Sequence, residues 1–248
     1  MDSIKKEMGF LRADLWSQWD TLETDQKKHL PAPPVQKPFP GDAELIPLIP
    51  PEEFQIGQIP LIEVIRGRRS RRIYKETALS MEELSFLLWA TQGIRQLINE
   101  GVTTLRTVPS GGARHPFETY LAVLRVNELQ SGLYRYLPLE HKLLFLQTVV
   151  DFEEKLKYAC SDFAHKSAVV FAWTAIPYRT AWRYGSLAPK LIAQDSGHVC
   201  QNLYLACGAI GAGACAVGAY NQNEMDALLG VDGIDEFTVY CAPVGKVN

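Results

Sequence analysis

The sequence predicts an α+β fold whose sheet has an antiparallel component. Three observations carry this. Strand-like runs and helical patterns alternate without a clean βαβ repeat. Two short strand-like runs, Gly132 to Leu137 and Leu143 to Leu146, lie close enough to pair as a hairpin. The longest helical segment, Leu187 to Ile210, follows a strongly strand-like run, Ser167 to Trp173. The 248 residues suffice for one sizeable core or two small ones, and 47% hydrophobic with 21% charged residues is ordinary globular usage.

Taken in order, residues 1–29 read as a helical arm, because Phe10, Leu11, Leu15, Trp16, Trp19 and Leu22 recur at helical spacing. Two tryptophans there need a surface to cover, either this chain's own core or a partner subunit. Nine of the fifteen prolines fall between Pro31 and Pro60. Proline fixes φ and lacks an N–H, so residues 30–60 are expected to be extended. Leu45, Ile46, Leu48 and Ile49 make this stretch too apolar for a free linker, which points to an arm laid along a surface, within the chain or across a dimer. Residues 1–60 are therefore read as an arm and 61–248 as the domain. A short helix begins at Leu61. Ser80-Met81-Glu82-Glu83 is a capping-box signature opening a helix through Leu84, Leu87 and Leu88 that stops near Gly93. Pro109 to Pro116 is a small-residue loop before a buried strand, Thr119 to Val126. Helices are expected at Asp151 to Tyr158 and Glu224 to Leu229, and a last strand at Phe237 to Val244.

Composition excludes several functions. A formal charge of −3 does not suit an electrostatic nucleic-acid or membrane binder. The five cysteines are odd in number and form no C-x-x-C pair, against a disulfide framework or a structural zinc. Reduced thiols, no metal and a cytoplasmic location are the expectation. The opening MDSIKKEMGF has no apolar h-region, and no apolar run approaches the roughly 20 residues of a spanning helix.

Three segments carry chemistry. Arg66-Gly67-Arg68-Arg69-Ser70-Arg71-Arg72 holds five arginines in seven residues. Permanently charged guanidinium forks and a hydroxyl suit a phosphate. In an extended segment Arg68, Ser70 and Arg72 would point one way; a solvated basic turn partnered by Glu63 and Glu76 is the alternative. The loop Arg106 to Pro116, with Pro109, Ser110, Gly111 and Ala113, lets a flat ligand approach the backbone, or is simply a turn. Gly208 to Tyr220, GAIGAGACAVGAY, offers bare backbone N–H groups or tight helix packing.

In this order and at these distances the segments resemble the nitroreductase superfamily, and within it the SagB/ThcOx-type dehydrogenase branch. The matching stretches are RRSRRIY (68–74), LSMEELSFLLWATQGI (79–94), RTVPSGGARHPFETYL (106–121), RYGSLAPKLIAQDSGHVCQNLYLACGAIGAG (183–213) and VYCAPVGK (239–246). The resemblance implies a nitroreductase-like fold, with a central, mainly antiparallel sheet flanked by helices. It also implies an intertwined homodimer with FMN at the interface. It assigns Arg68, Arg69, Ser70 and Arg72 to the FMN phosphate and ribityl chain, with Lys246 as a looser match. It assigns Pro109, Ser110, Gly111 and Ala113 to a loop reaching the flavin from the other subunit. Ala216, Val217 and Gly218 would line the ring, with the Gly218 N–H at flavin N5. NADH or NADPH would be a transient donor and a nitroaromatic or quinone the acceptor; no G-x-G-x-x-G strand–helix signal for a resident dinucleotide is present. Azoline-oxidising members carry a Lys-Tyr pair where this chain has Arg183-Tyr184, and arginine stays protonated. These two are the substrate-side candidates.

Two other readings stand beside this one: a SagB-type azoline dehydrogenase acting on a peptide, and a non-catalytic binder of FMN or another phosphate ligand. A basic-loop nucleic-acid binder is disfavoured by the acidic remainder of the chain. His115, His198 and the Gln201-Asn202 pair read as structural hydrogen-bonders. Cys200 and Cys207 read as packing residues, and Asp195 as a buried ion-pair partner for Lys190.

Overall fold

The structure, a computed structural model, describes residues 8–248; residues 1–7 of the expected helical arm lie outside the described residues. The centre is a seven-stranded sheet. Its strands are β1 (Leu45–Pro47), β4 (Phe117–Val123), β5 (Gly132–Leu137), β6 (Lys142–Gln147), β7 (Val169–Ala175), β8 (Ala212–Ala214) and β9 (Phe237–Lys246). They lie in the order β1-β6-β5-β4-β7-β9-β8, and every neighbouring pair is antiparallel. A separate hairpin joins β2 (Ile94–Ile98) to β3 (Thr103–Arg106).

Alternation along the strands makes two cores. Leu121, Val123, Phe171 and Trp173 face one side, where they pack with α2 (Met81–Gln92) and α5 (Ala188–Ala209). Tyr120, Ala122, Val170 and Ala172 face the other, against α3 (Phe152–Ala159) and α6 (Gln222–Leu229). The shorter α1 (Leu61–Gly67) and α4 (Tyr178–Tyr184) precede the basic segment and α5. The capping box at Ser80 forms as the sequence predicts: Ser80 Oγ accepts from Glu83 N at 3.1 Å, and Glu83 Oε2 accepts from Ser80 N at 3.0 Å. The antiparallel α+β sheet flanked by helices is thus present.

Four details differ from expectation. Among the described residues the first 29 form no α-helix, only 3-10 turns at Met8–Leu11 and Asp14–Gln18. An isolated helix this short is marginal, and docking decides instead: Lys190 donates to the carbonyls of Leu11 and Arg12, and Lys27 to those of Trp19 and Leu22. The proline stretch is extended as expected, but it also contributes a strand that the sequence does not predict, β1, which pairs with β6 of its own chain. The β2–β3 hairpin lacks a turn dipeptide and has a register shift, so alternation is broken there. The fourth is α4, whose seven residues are too few to show a helical period.

A buried ionic network pins the arm. Glu118 Oε1 accepts from Arg179 Nη2 at 2.5 Å and from Lys37 N at 2.8 Å, and Glu236 pairs with Lys37 at 2.5 Å. Arg135 donates to the carbonyls of Lys37 and Pro38.

Candidate functional site

The basic segment leaves α1 in extended conformation at Arg68 and runs beside the sheet edge, where Arg71 N donates to Ala214 O at 2.9 Å. Arg68 and Ser70 converge on one residue of α5. The Arg68 guanidinium lies 5.3 Å from the Tyr204 ring centroid, and Ser70 Oγ is 2.9 Å from the Tyr204 hydroxyl. Ser70 and Arg72 meet again at the Cys215 thiol, which burial pushes up and these two neighbours pull down. The expected one-sided alternation of Arg68, Ser70 and Arg72 is not kept: Arg68 lies over Tyr204, which packs with one core, and Arg72 over Phe163, which packs with the other. Arg68, Arg69 and Arg71 line a hollow of about 310 Å³ with Tyr204, Gly208 and Gly213. Glu63 also borders it. None of the five arginines has a carboxylate within salt-bridge distance among the described residues, so the Glu63 and Glu76 pairing is not formed. Five like charges without counter-charge favour an anion here.

Tyr204 ties this segment to the bare stretch after α5. Its hydroxyl also accepts from Ala216 N at 2.8 Å. Val217 exchanges backbone bonds with Cys241 at 2.8 and 3.2 Å. Gly218 is exposed, and no hydrogen bond uses its N–H among the described residues. Tyr204→Phe is expected to leave the Ala216 N–H without a partner. That predicts a loss of about 1–3 kcal/mol in a denaturation experiment, with little change in helix content. Lys246 is not a free donor: its ammonium pairs with Glu83 and donates to the Ile210 carbonyl.

The loop of residues 109–115 is fixed from α5 as well. Ser110 Oγ donates to Asp195 Oδ2 at 2.5 Å and accepts from His115 N at 2.9 Å, while Gly111 N donates to Asp195 Oδ1 at 3.2 Å. Asp195 is buried, which raises its carboxyl, while Ser110 and Gly111 lower it. It does not pair with Lys190, whose ammonium is committed to the N-terminal arm. Gly112 adopts φ +59°, and a Cβ there would lie 2.4 Å from the Tyr184 hydroxyl, so only glycine allows the loop to touch Tyr184. Tyr184 itself is buried under Trp16 and Trp19, with centroids at 5.9 and 5.6 Å. The Arg183 guanidinium stacks 5.4 Å from the Tyr184 ring and donates to Gln26. The tryptophans thus cover this chain's own surface. On its other side the loop borders a cleft of about 650 Å³, lined by Trp89, Arg95, Arg106, Pro109, His115 and Asn202 among others. Asn202 donates to the Ala90 carbonyl at 2.9 Å, the structural role expected of it.

His115 is held neutral. Burial first, and the neighbouring Arg106 second, lower it to about 3. An unfolded histidine titrates near 6.5, so its contribution to stability is complete above pH 6.5 and falls away as pH drops from 6.5 towards 3. At pH 5 the loss is about 2 kcal/mol. Asparagine tolerates the left-handed φ of +45° found here. Urea titrations at pH 7 and pH 5 should therefore show a smaller difference for His115→Asn than for the unmodified protein.

The two halves of the candidate site do not meet within one chain. The loop is anchored at Asp195 and the basic segment at Tyr204, nine residues apart on α5 (204 − 195). At about 1.5 Å per residue the anchors are roughly 14 Å apart. Sequence reading missed Tyr204 and misassigned Asp195. A signal existed for Asp195, which occupies an apolar register with Ile192, Val199 and Leu203; a carboxylate there requires donors. Tyr204 gave none, because Ser70 reaches it from 134 residues away and Ala216 only across the turn after α5.

Among the described residues no helix is long and apolar enough to cross a membrane, and no group of three or more His, Cys, Asp or Glu is placed to hold a metal. The profile described as the nitroreductase family matches residues 65–246. A Methanocaldococcus jannaschii protein assigned as a nitroreductase is 33% identical over 192 residues, covering 77% of this chain and 93% of that protein. The crystal structure of a Ralstonia eutropha JMP134 protein, likewise assigned, is similar with a TM-score of 0.68 and 26% identity, over 88% of this chain and 99% of that one. A chain of the E. coli microcin synthetase complex shares the fold, with a TM-score of 0.61 and 21% identity, over 85% of this chain and 77% of that one.

Proposed function

Because this chain belongs to the nitroreductase family of oxidoreductases, we propose that it binds FMN as a homodimer and reduces nitroaromatic or quinone-like acceptors at the expense of NADH or NADPH. One observation carries this reading: Tyr204 joins an arginine segment that forms no salt bridge among the described residues to a stretch of bare backbone ending at the exposed Gly218, whose N–H no hydrogen bond among the described residues uses. That combination fits a ligand with a phosphate at one end and a flat polar ring at the other. Bound there, FMN would supply the redox chemistry, taking hydride from the nicotinamide and passing electrons to the acceptor. Arg68, Arg69, Ser70 and Arg72 would hold the phosphate and ribityl chain. Lys246 joins them only by releasing Glu83. Ala216, Val217 and Gly218 would back the ring, and the Gly218 N–H would donate at N5.

The loop of Pro109, Ser110, Gly111 and Ala113 would serve the flavin of the second subunit, which agrees with its separation from the basic segment along α5. Tyr184 and Arg183 would stay behind this loop and support it through Gly112, rather than exchange protons with substrate.

The test is the absorption spectrum of the purified protein, followed by anaerobic addition of NADH and NADPH. Flavin bands that bleach support the reductase. Bands that resist both nicotinamides would favour a substrate-driven dehydrogenase of the SagB type. A yellow protein with no turnover of any acceptor would leave a non-catalytic binder. Failure to take up FMN at all would overturn the proposal. Gly218→Ala sharpens the test, because a Cβ there meets nothing nearer than a Tyr240 ring carbon at 3.9 Å. The variant keeps its N–H and is expected to fold with unchanged stability, yet its added methyl would crowd the ring and weaken FMN binding at least about tenfold, each 1.4 kcal/mol being tenfold.

A further inference from the structure

The cleft beside the 109–113 loop has a one-sided electrostatic character. Two cations line it, Arg95 and Arg106, and among the described residues no carboxylate does. Arg106 is 3% exposed, yet every partner it has is neutral: Thr104 Oγ1 at 3.1 Å, Gln92 Oε1 at 2.8 Å and the Val35 carbonyl at 3.0 Å. Buried charges are ordinarily paired. Burial lowers Arg106 only to about 10, so it is charged at neutral pH. The nearby acids are committed elsewhere. Glu118 is held by Arg179, Glu236 by Lys37, and Asp195 by Ser110 and Gly111.

Arg95 stands on the β2–β3 hairpin at the rim. Its Nε donates to the Arg106 carbonyl at 3.2 Å, which fixes the guanidinium plane, and no hydrogen bond among the described residues uses its two terminal nitrogens. Trp89, Leu105, Val108 and Pro109 form an apolar wall, beside the polar Thr107, Ser110, His115 and Asn202.

We propose that this cleft selects a planar aromatic substrate bearing a carboxylate or similar anion, with Arg95 as the specificity-determining residue. The Trp89–Pro109 wall takes the ring, and the free fork of Arg95 takes the anion in two parallel charge-assisted hydrogen bonds. Arg106, beneath the wall, adds an attractive field without touching the ligand. The inference rests on the flavin reading only in taking this bound molecule to be the electron acceptor; the anion preference is a binding property of the cleft itself.

The test is equilibrium titration of the purified full-length protein, by calorimetry, with 4-nitrobenzoate and its neutral isostere 4-nitrobenzamide. The benzoate is expected to bind at least about tenfold more tightly, the scale of one charge-assisted hydrogen bond. In Arg95→Gln that preference should collapse, with amide binding unchanged. When reduction is followed, the same ratio should appear in KM and not in kcat. Equal affinity for the two compounds, or a preference that survives Arg95→Gln, overturns the proposal. So does a loss of FMN affinity in Arg95→Gln, because the cation would then serve the flavin. A protein that takes up no FMN but still prefers the benzoate through Arg95 would sink the flavin reading and leave the anion site standing.

Discussion

Replacing Arg68 and Arg72 together by methionine is expected to weaken FMN binding by a factor of about 10² to 10⁴ while leaving the folded protein as stable as before. Each charge-assisted hydrogen bond to a phosphate contributes about 1.5–3 kcal/mol, and the pair would remove two. The fold does not depend on them. Arg68 lies over the Tyr204 ring and Arg72 over the Phe163 ring at 5.8 Å, both at the surface, and neither has a carboxylate partner among the described residues. Removing them also relieves repulsion within the five-arginine run, so the melting temperature without ligand should stay level or rise slightly. Flavin fluorescence titration at several salt concentrations checks the first part, and thermal unfolding of the ligand-free protein the second. Undiminished FMN affinity in the double variant would mean that the arginine run serves another anion.

Glu118→Gln is the substitution with the largest expected cost to stability. Glu118 is 3% exposed and is the carboxylate on which Arg179, Arg135 and the Lys37 N–H converge. Neutralising it leaves Arg179 buried without counter-charge, and Arg179 already has one terminal nitrogen without a partner. Breaking a buried pair in this way costs about 3–5 kcal/mol. For a chain of this size that corresponds to a fall of roughly 6–20 °C in Tm. Because Lys37 belongs to the extended arm, protease cleavage between residues 30 and 45 should accelerate in the same variant. Adding Arg179→Met should recover part of the loss, since removing both charges costs less than orphaning one. A Tm unchanged in Glu118→Gln would show that the network does not hold the arm.

The sequence by itself determined whatever depends on neighbours along the chain. The capping box at Ser80, the long α5, the strands of the sheet's centre and the extended proline arm all follow from local periodicity, turn chemistry and the missing N–H of proline. The arginine run announced an anion site for the same reason: five like charges in seven residues are costly wherever they fold. Tertiary structure decided what those segments meet. The N-terminal pattern is helical in spacing, but carbonyl contacts from Lys190 and Lys27 hold it as 3-10 turns over Tyr184. Asp195 turns to Ser110 and away from Lys190, because the loop's hydroxyl and N–H reach its buried position while the lysine faces the arm. Tyr204 became the joint of the candidate site only when residues 70 and 216 came to rest on either side of it. A hydrogen bond between segments more than a hundred residues apart leaves no period in a sequence; it is fixed by the way the sheet edge and α5 pack.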